Sequence, residues 1–100
     1  MRVIALRTLR EFWTHHPSGA EARAQLEAWY AESKAADWAG PYDVKAQYHN
    51  ASVLWNGRVV FNICGNKFRL VAWINYPYRV VYVRFVGTHE EYDAIDAQTV

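Results

Sequence analysis

The stretch Val59–Tyr92, VVFNICGNKFRLVAWINYPYRVVYVRFVGTHEEY, decides the fold of this chain. From Lys67 to Tyr76 the residues alternate: Phe68, Leu70, Ala72, Ile74 and Tyr76 point one way, Lys67, Arg69, Val71, Trp73 and Asn75 the other. That is the period of a strand with two different faces. Pro77 ends the run, because it cannot donate to a ladder. Arg79 to Val86 repeats the pattern, with Val81, Val83 and Phe85 on one face and Val80, Tyr82, Arg84 and Val86 on the other. The face bearing Arg84 is assigned to the side of Lys67 and Arg69. Upstream, Arg58 to Ile63 is a further strand, and Asn56-Gly57 before it supplies the two positive φ values of a type I′ turn, predicting a hairpin with Val53-Leu54-Trp55. Downstream, Gly87 closes the last strand. Thr88 and Glu91 form a capping box that opens a short helix with His89 and Tyr92 near its start.

The first half of the chain has helical spacing instead. Val3-Ile4-Ala5 is short and apolar and fits an edge strand. Leu6 to His15 places Leu6, Leu9, Phe12 and Trp13 on one side, and Pro17 ends that helix. His15 and His16 close it, where a cation offsets the helix dipole. Ser18 with Glu21 fits a capping box for a second helix, whose stripe is Ala22, Leu26, Trp29 and Tyr30 and which fades near Asp37 and Gly40-Pro41. Residues 38–52 show no sustained period, long for a plain connection. They suit a helical turn around Asp43 to Gln47, or a functional loop with Lys45 and His49 as its polar contributors. The expected architecture is α+β: two N-terminal helices packed on a small, mainly antiparallel sheet with a short C-terminal helix, in one domain spanning residues 1–100.

Five Trp, seven Tyr and four Phe within 100 residues, 52% of them hydrophobic, are enough for one core. Net charge is +1, but it is segregated. Residues 1–43 carry five basic and six acidic side chains; residues 44–89 carry Lys45, Arg58, Lys67, Arg69, Arg79 and Arg84 with no acid; residues 90–100 carry Glu90, Glu91, Asp93 and Asp96. A basic sheet region between acidic ends fits a phosphate or nucleic-acid footprint, against the plainer account of solvated strand positions. No stretch is apolar enough for a membrane span, and Arg7, Arg10 and Glu11 interrupt any leader-like region. The single cysteine, Cys64, excludes an internal disulfide and a multi-cysteine metal site, which places the chain in a reducing cytoplasm. No metal or cofactor is expected.

Four segments together resemble a known family: Val60-Phe61-Asn62-Ile63, Gly65-Asn66-Lys67, Arg69-Leu70-Val71 and Gly87-Thr88-His89-Glu90-Glu91-Tyr92-Asp93. They are similar to the motif string of HigB toxins, the toxin halves of HigBA type II toxin–antitoxin modules in the RelE/ParE-like superfamily. The resemblance implies a RelE-like fold and a ribosome-dependent mRNA endoribonuclease (an mRNA interferase). It also implies neutralisation by a HigA-type antitoxin with a helix-turn-helix domain, operator DNA being reached only through that antitoxin.

Metal-free RNA cleavage needs the 2′-OH deprotonated, the charge of a pentacoordinate phosphate stabilised and the 5′-oxygen protonated as it leaves. Arginine suits the second task, since its fork stays charged and matches phosphate oxygens. Arg69 and Arg84 are therefore the expected stabilisers, with Lys67 as a backbone-positioning charge. In the superfamily, basic residues on the central strands and an aromatic or histidine near the C-terminal end carry cleavage. His89 fits general acid or base, because imidazole titrates near neutral pH, and Tyr92 suits base stacking or proton transfer. Trp73 shares the expected face of Arg69 and is a candidate RNA contact. Cys64 reads as a packed thiol and Arg79 as a strand flank. Two other functions compete: a toxin of this fold acting on a protein such as gyrase, as ParE-type relatives do, and a non-catalytic RNA-binding module.

Overall fold

Alternation in the second half of the chain builds a sheet, and the amphipathic helices of the first half cover one side of it. The computed structural model describes all residues, 1–100. In chain order the elements are β1 (Arg2–Ile4), α1 (Leu6–His15), α2 (Gly19–Ala35), α3 (Pro41–Gln47), β2 (Ser52–Val53), β3 (Arg58–Ile63), β4 (Phe68–Asn75), β5 (Val80–Thr88) and α4 (His89–Asp93). The five strands lie in the order β1-β5-β4-β3-β2, antiparallel throughout except for β1, which runs parallel to β5. No helix is long and apolar enough to cross a membrane.

The expected apolar rows meet the helices. Val59, Phe61 and Ile63 of β3, Phe68, Leu70, Ala72 and Ile74 of β4, and Val81 and Val83 of β5 form one core with Leu9, Phe12, Leu26 and Trp29. Phe12 meets Phe68 edge-on at 5.8 Å between centroids, and Trp29 meets Phe61 at 5.4 Å. Burying a side chain of this size is worth about 1.5–3 kcal/mol. Differences in helix propensity are smaller, so burial holds α1 and α2 in place. α3 forms at the expected helical turn, with Pro41 in its first turn and Val44 buried.

Five details depart from expectation. The Asn56-Gly57 turn forms with φ of 59° and 73°, but its first strand shortens to Ser52–Val53 and leaves Leu54 and Trp55 outside the ladder. Ser18 makes no capping bond, because its N–H donates to His16 Nδ1 and Glu21 instead pairs with Lys67. A β-bulge interrupts β5: Ala72 pairs with Val83 and Val71 with Phe85, so Arg84 is an extra residue without a ladder partner. Beyond it the faces exchange; Phe85 joins the open side and Val86 packs on the helical side. Lys67 belongs to the turn before β4 and reaches toward α2, so it does not share Arg69's face. Finally, residues 94–100 fold back over the open side, where Ala97 is buried with Val60 and Val71 beside Leu54, Phe85, Tyr92, Ile95 and Val100.

Candidate active site

Opposite the helices, the sheet presents a face whose polar residues fall into two groups. At the first, Arg69 on β4 stands between Asn62 of β3 and Gly87 of β5 in the ladder. Its side chain is almost wholly enclosed, and Nη1 donates to the main-chain oxygens of Asn66 and Phe68 at 3.1 and 3.2 Å. Its Nε and Nη2 have no partner in the chain and are not fully sealed from solvent. The guanidinium is thus clamped along one edge and offers the other, the arrangement a preorganised oxyanion donor requires.

His89 begins α4 two residues after Gly87, the ladder partner of Arg69. Its main-chain N–H donates to Lys67 O at 3.0 Å, which fastens the helix to the start of β4. The Thr88–Glu91 capping box forms as expected: Thr88 Oγ1 accepts from Glu91 N at 3.1 Å, and Glu91 accepts from Thr88 N at 2.8 Å. One helical turn from His89, Asp93 Oδ2 lies 3.0 Å from His89 Nδ1. A carboxylate can only accept, so Nδ1 carries the proton between them; in the neutral ring the accepting nitrogen is then Nε2, which has no partner in the chain. An imidazole so oriented is set up to take a proton at Nε2. Tyr92, half-buried, packs on the Val60, Val71 and Ala97 cluster at the edge of this group.

The second group lies at the other end of β4, about 13 Å away along the strand from Arg69 to Trp73. Trp73 pairs with Arg58 on one side and Tyr82 on the other, and stacks on the Tyr82 ring at 5.1 Å and 24°. Arg58 Nη2 and Arg84 Nε both donate to the Val100 main-chain oxygen, at 3.1 and 3.4 Å. Arg84 therefore stands with Arg58 and the folded-back tail, three residues along β5 from Gly87, the residue paired with Arg69. Lys67 is in neither group: it is ion-paired with Glu21 of α2, and that hydrogen bond and charge raise its pKa.

Residues that the sequence reading did not single out complete the picture. Asp93 orients His89, and its place four residues on along a helix was the available signal. Arg58 joins Arg84 through the tail, which no local pattern announces. His16 Nε2 reaches Glu91 at 3.0 Å across 75 residues of sequence. Glu91's carboxyl is held below the usual carboxylate range, first by the Thr88 main-chain N–H and then by His16, against an opposing push from burial. The Cys64 thiol is pushed up by burial and by Glu21, against a smaller opposite pull from Lys67, which is the wrong direction for a nucleophile.

Helices over one face of a small, mainly antiparallel sheet, with a short helix after its last long strand, make an α+β arrangement of the RelE-like kind. Residues 22–95, which include both groups, match the family model of HigB toxin, described as the RelE-like toxic component of a toxin–antitoxin system. The chain belongs to the HigB toxin family. It is also similar to the mRNA interferase HigB of Escherichia coli O6:H1, at 26% identity over 97 residues, covering 95% of this chain and 91% of that one. Membership makes an antitoxin its partner.

Proposed function

We propose that this chain is a toxin that cleaves mRNA as an endoribonuclease on translating ribosomes in the cytoplasm. A HigA-type helix-turn-helix antitoxin neutralises it and provides its only link to operator DNA. The observation that carries this reading is the His89–Asp93 pair, fixed to the residue before β4, the strand that carries a clamped Arg69. The relative named an mRNA interferase supports the substrate class.

In the proposed reaction His89 Nε2 takes the proton of a ribose 2′-OH, and the 2′-oxygen forms a bond to the adjacent phosphorus. The free edge of Arg69 donates to the phosphoryl oxygens as charge builds on them. The bond to the 5′-oxygen breaks, that oxygen takes up a proton from solvent as it leaves, and His89 returns its own proton to solvent afterwards. The step is balanced without a metal. Trp73 stacked on Tyr82 provides a flat platform for an unpaired base, where a base–aromatic contact is worth about 1–3 kcal/mol. Arg58 and Arg84 flank that platform as phosphate contacts. Tyr92 borders the acid–base group and stacks on a base next to the scissile phosphate. Lys67, turned toward Glu21, contributes a charge at the rim rather than a contact on the face.

The test is primer extension on a defined mRNA in a reconstituted translation reaction, with and without ribosomes, for wild type, Arg69→Ala and His89→Ala. Discrete cuts that require ribosomes and disappear in both variants are expected. Growth arrest in cells without any cuts, retained in both variants, would replace this reading with a toxin acting on a protein target.

A further inference from the structure

His16 closes α1, far in sequence from the site, yet its ring belongs to the hydrogen-bond chain that ends there. Its Nδ1 accepts the Ser18 main-chain N–H at 3.0 Å, so that nitrogen carries no proton. The ring proton is therefore on Nε2, which lies 3.0 and 3.1 Å from the two carboxylate oxygens of Glu91 and donates to them. The side chain is 21% exposed and stacks on Phe12, with centroids 4.6 Å apart, so the ring has one orientation. Glu91 Oε1 also accepts the Thr88 N–H, and Thr88 Oγ1 accepts the Glu91 N–H, which closes the start of α4. His89 is the next residue.

α4 has five residues and buries none of them. A helix this short does not hold itself together in water, so its placement comes from outside. The His89 N–H to Lys67 O bond ties it to the sheet, and His16 ties it to the helical layer. The fit around Glu91 is close: a Cβ at Gly87 would lie 3.1 Å from Glu91 Oε1 and 2.5 Å from the Phe85 ring. The absence of a side chain there leaves Glu91 free to receive both donors.

We propose that His16 is a positioning residue: through Glu91 and Thr88 it fixes the start of α4, and with it the orientation of the His89–Asp93 pair. The catalytic consequence rests on the proposed role of His89 as proton acceptor. His16 itself touches no reacting atom.

Two substitutions separate positioning from simple packing. His16→Ala removes both ring and donor, whereas His16→Gln sets an amide N–H near the place of Nε2 without the ring. His16→Ala is expected to lower single-turnover cleavage about two- to fivefold, the range set by loss of the His89–Asp93 pairing, with KM for programmed ribosomes unchanged. His16→Gln should recover most of that loss. Long-range 1H–15N spectra should show His89 protonated at Nδ1 in wild type and His16→Gln, but as mixed tautomers in His16→Ala. A wild-type rate and wild-type His89 tautomer in folded His16→Ala would overturn the proposal, and so would a His16→Gln as slow as His16→Ala. If His16→Ala does not fold, the wild-type spectrum and His16→Gln decide: a His16 proton on Nδ1 at neutral pH overturns the proposal, and one on Nε2 supports it. His89→Ala is assayed beside them. Normal cleavage by that variant would reject the acid–base role of His89, while the His89 ring spectrum across the His16 variants still tests the positioning by itself.

Discussion

Replacing Asp93 by asparagine measures how far the proposed proton transfer depends on the partner that orients His89. The amide is the same size, but it can turn its NH2 toward Nδ1. That favours the tautomer with the proton on Nε2 and removes the accepting nitrogen. In a buried Ser-His-Asp triad the same exchange costs about 10⁴-fold in kcat. Here the His89 and Asp93 side chains are 51% and 61% exposed. A pair exposed to this degree is worth about 0.2–1 kcal/mol, which at 1.36 kcal/mol per tenfold corresponds to about 1.4- to 5-fold in rate. Removal of the imidazole should cost about 10²–10⁴-fold. Asp93→Asn is therefore expected close to wild type, and His89→Ala far below both. The assay is single-turnover cleavage of one mRNA on saturating programmed ribosomes, repeated at raised salt, where the Asp93→Asn gap should narrow because an exposed pair is screened. An Asp93→Asn loss as large as that of His89→Ala, with the fold intact, would refute the argument. It would mean that Asp93 takes part in chemistry rather than orienting a neighbour.

Three further outcomes follow from the same geometry. Arg69→Lys keeps the charge but not the fork that bonds two carbonyls while presenting a second edge, so cleavage should fall about 10²–10³-fold with substrate binding little changed; a rate near wild type in single-turnover assays would show that charge alone suffices. Glu91 has its pKa lowered by folding, so its stabilising contribution is complete above the ordinary glutamate value of about 4.3 and is lost as pH falls through the depressed folded value. Urea midpoints of Glu91→Gln should then fall less steeply than those of wild type from about pH 5 downward, and parallel acid limbs would contradict this. Gly87→Ala drives a methyl group to 2.5 Å from the Phe85 ring. Overpacking of this kind costs about 1–3 kcal/mol, or about 4–24 °C in Tm for a domain of this size; a thermal melt superimposable on wild type would count against the close fit.

The strands were legible because each carries its period and its punctuation together. Phe68 to Ile74 alternates, Pro77 stops it and Asn56-Gly57 starts the hairpin, and all three read the same way in the fold. Arg84 was not legible, because a bulge depends on the strand opposite rather than on any residue type in Val83-Arg84-Phe85. Once one residue is extra, every later side chain changes face. Lys67 failed for a related reason: it was counted as part of the alternation, but the period stops one residue later, at Phe68, and Glu21 draws its ammonium to the other layer. The two capping boxes show the same competition. Thr88 and Glu91 satisfy each other and His16 reinforces them, whereas Glu21 is taken by Lys67 and the Ser18 N–H by His16. A local motif forms where tertiary partners agree with it. Asp93 stands at the right spacing from His89, but in the sequence alone it is one of four acids after His89 and nothing marks it as that residue's partner.

The charge map changes most between sequence and structure, and it bears on how RNA reaches the site. Six cations without an acid from Lys45 to Arg84 read as one basic sheet. In the fold, Lys67 is matched by Glu21 and Arg79 by Asp37 at 2.6 Å, while Lys45 donates to Ala51 O at 2.6 Å. Arg58 and Arg84 share the Val100 oxygen, and Arg69 is 9% exposed. A protein that captures free RNA by neutralising many phosphates keeps its cations open and loses affinity steeply with salt. This face instead holds one arginine in a fixed pose and one oriented imidazole, an arrangement that discriminates geometry rather than charge. Such a site acts on a phosphate brought to it in the right conformation, and under the proposed function the ribosome brings it.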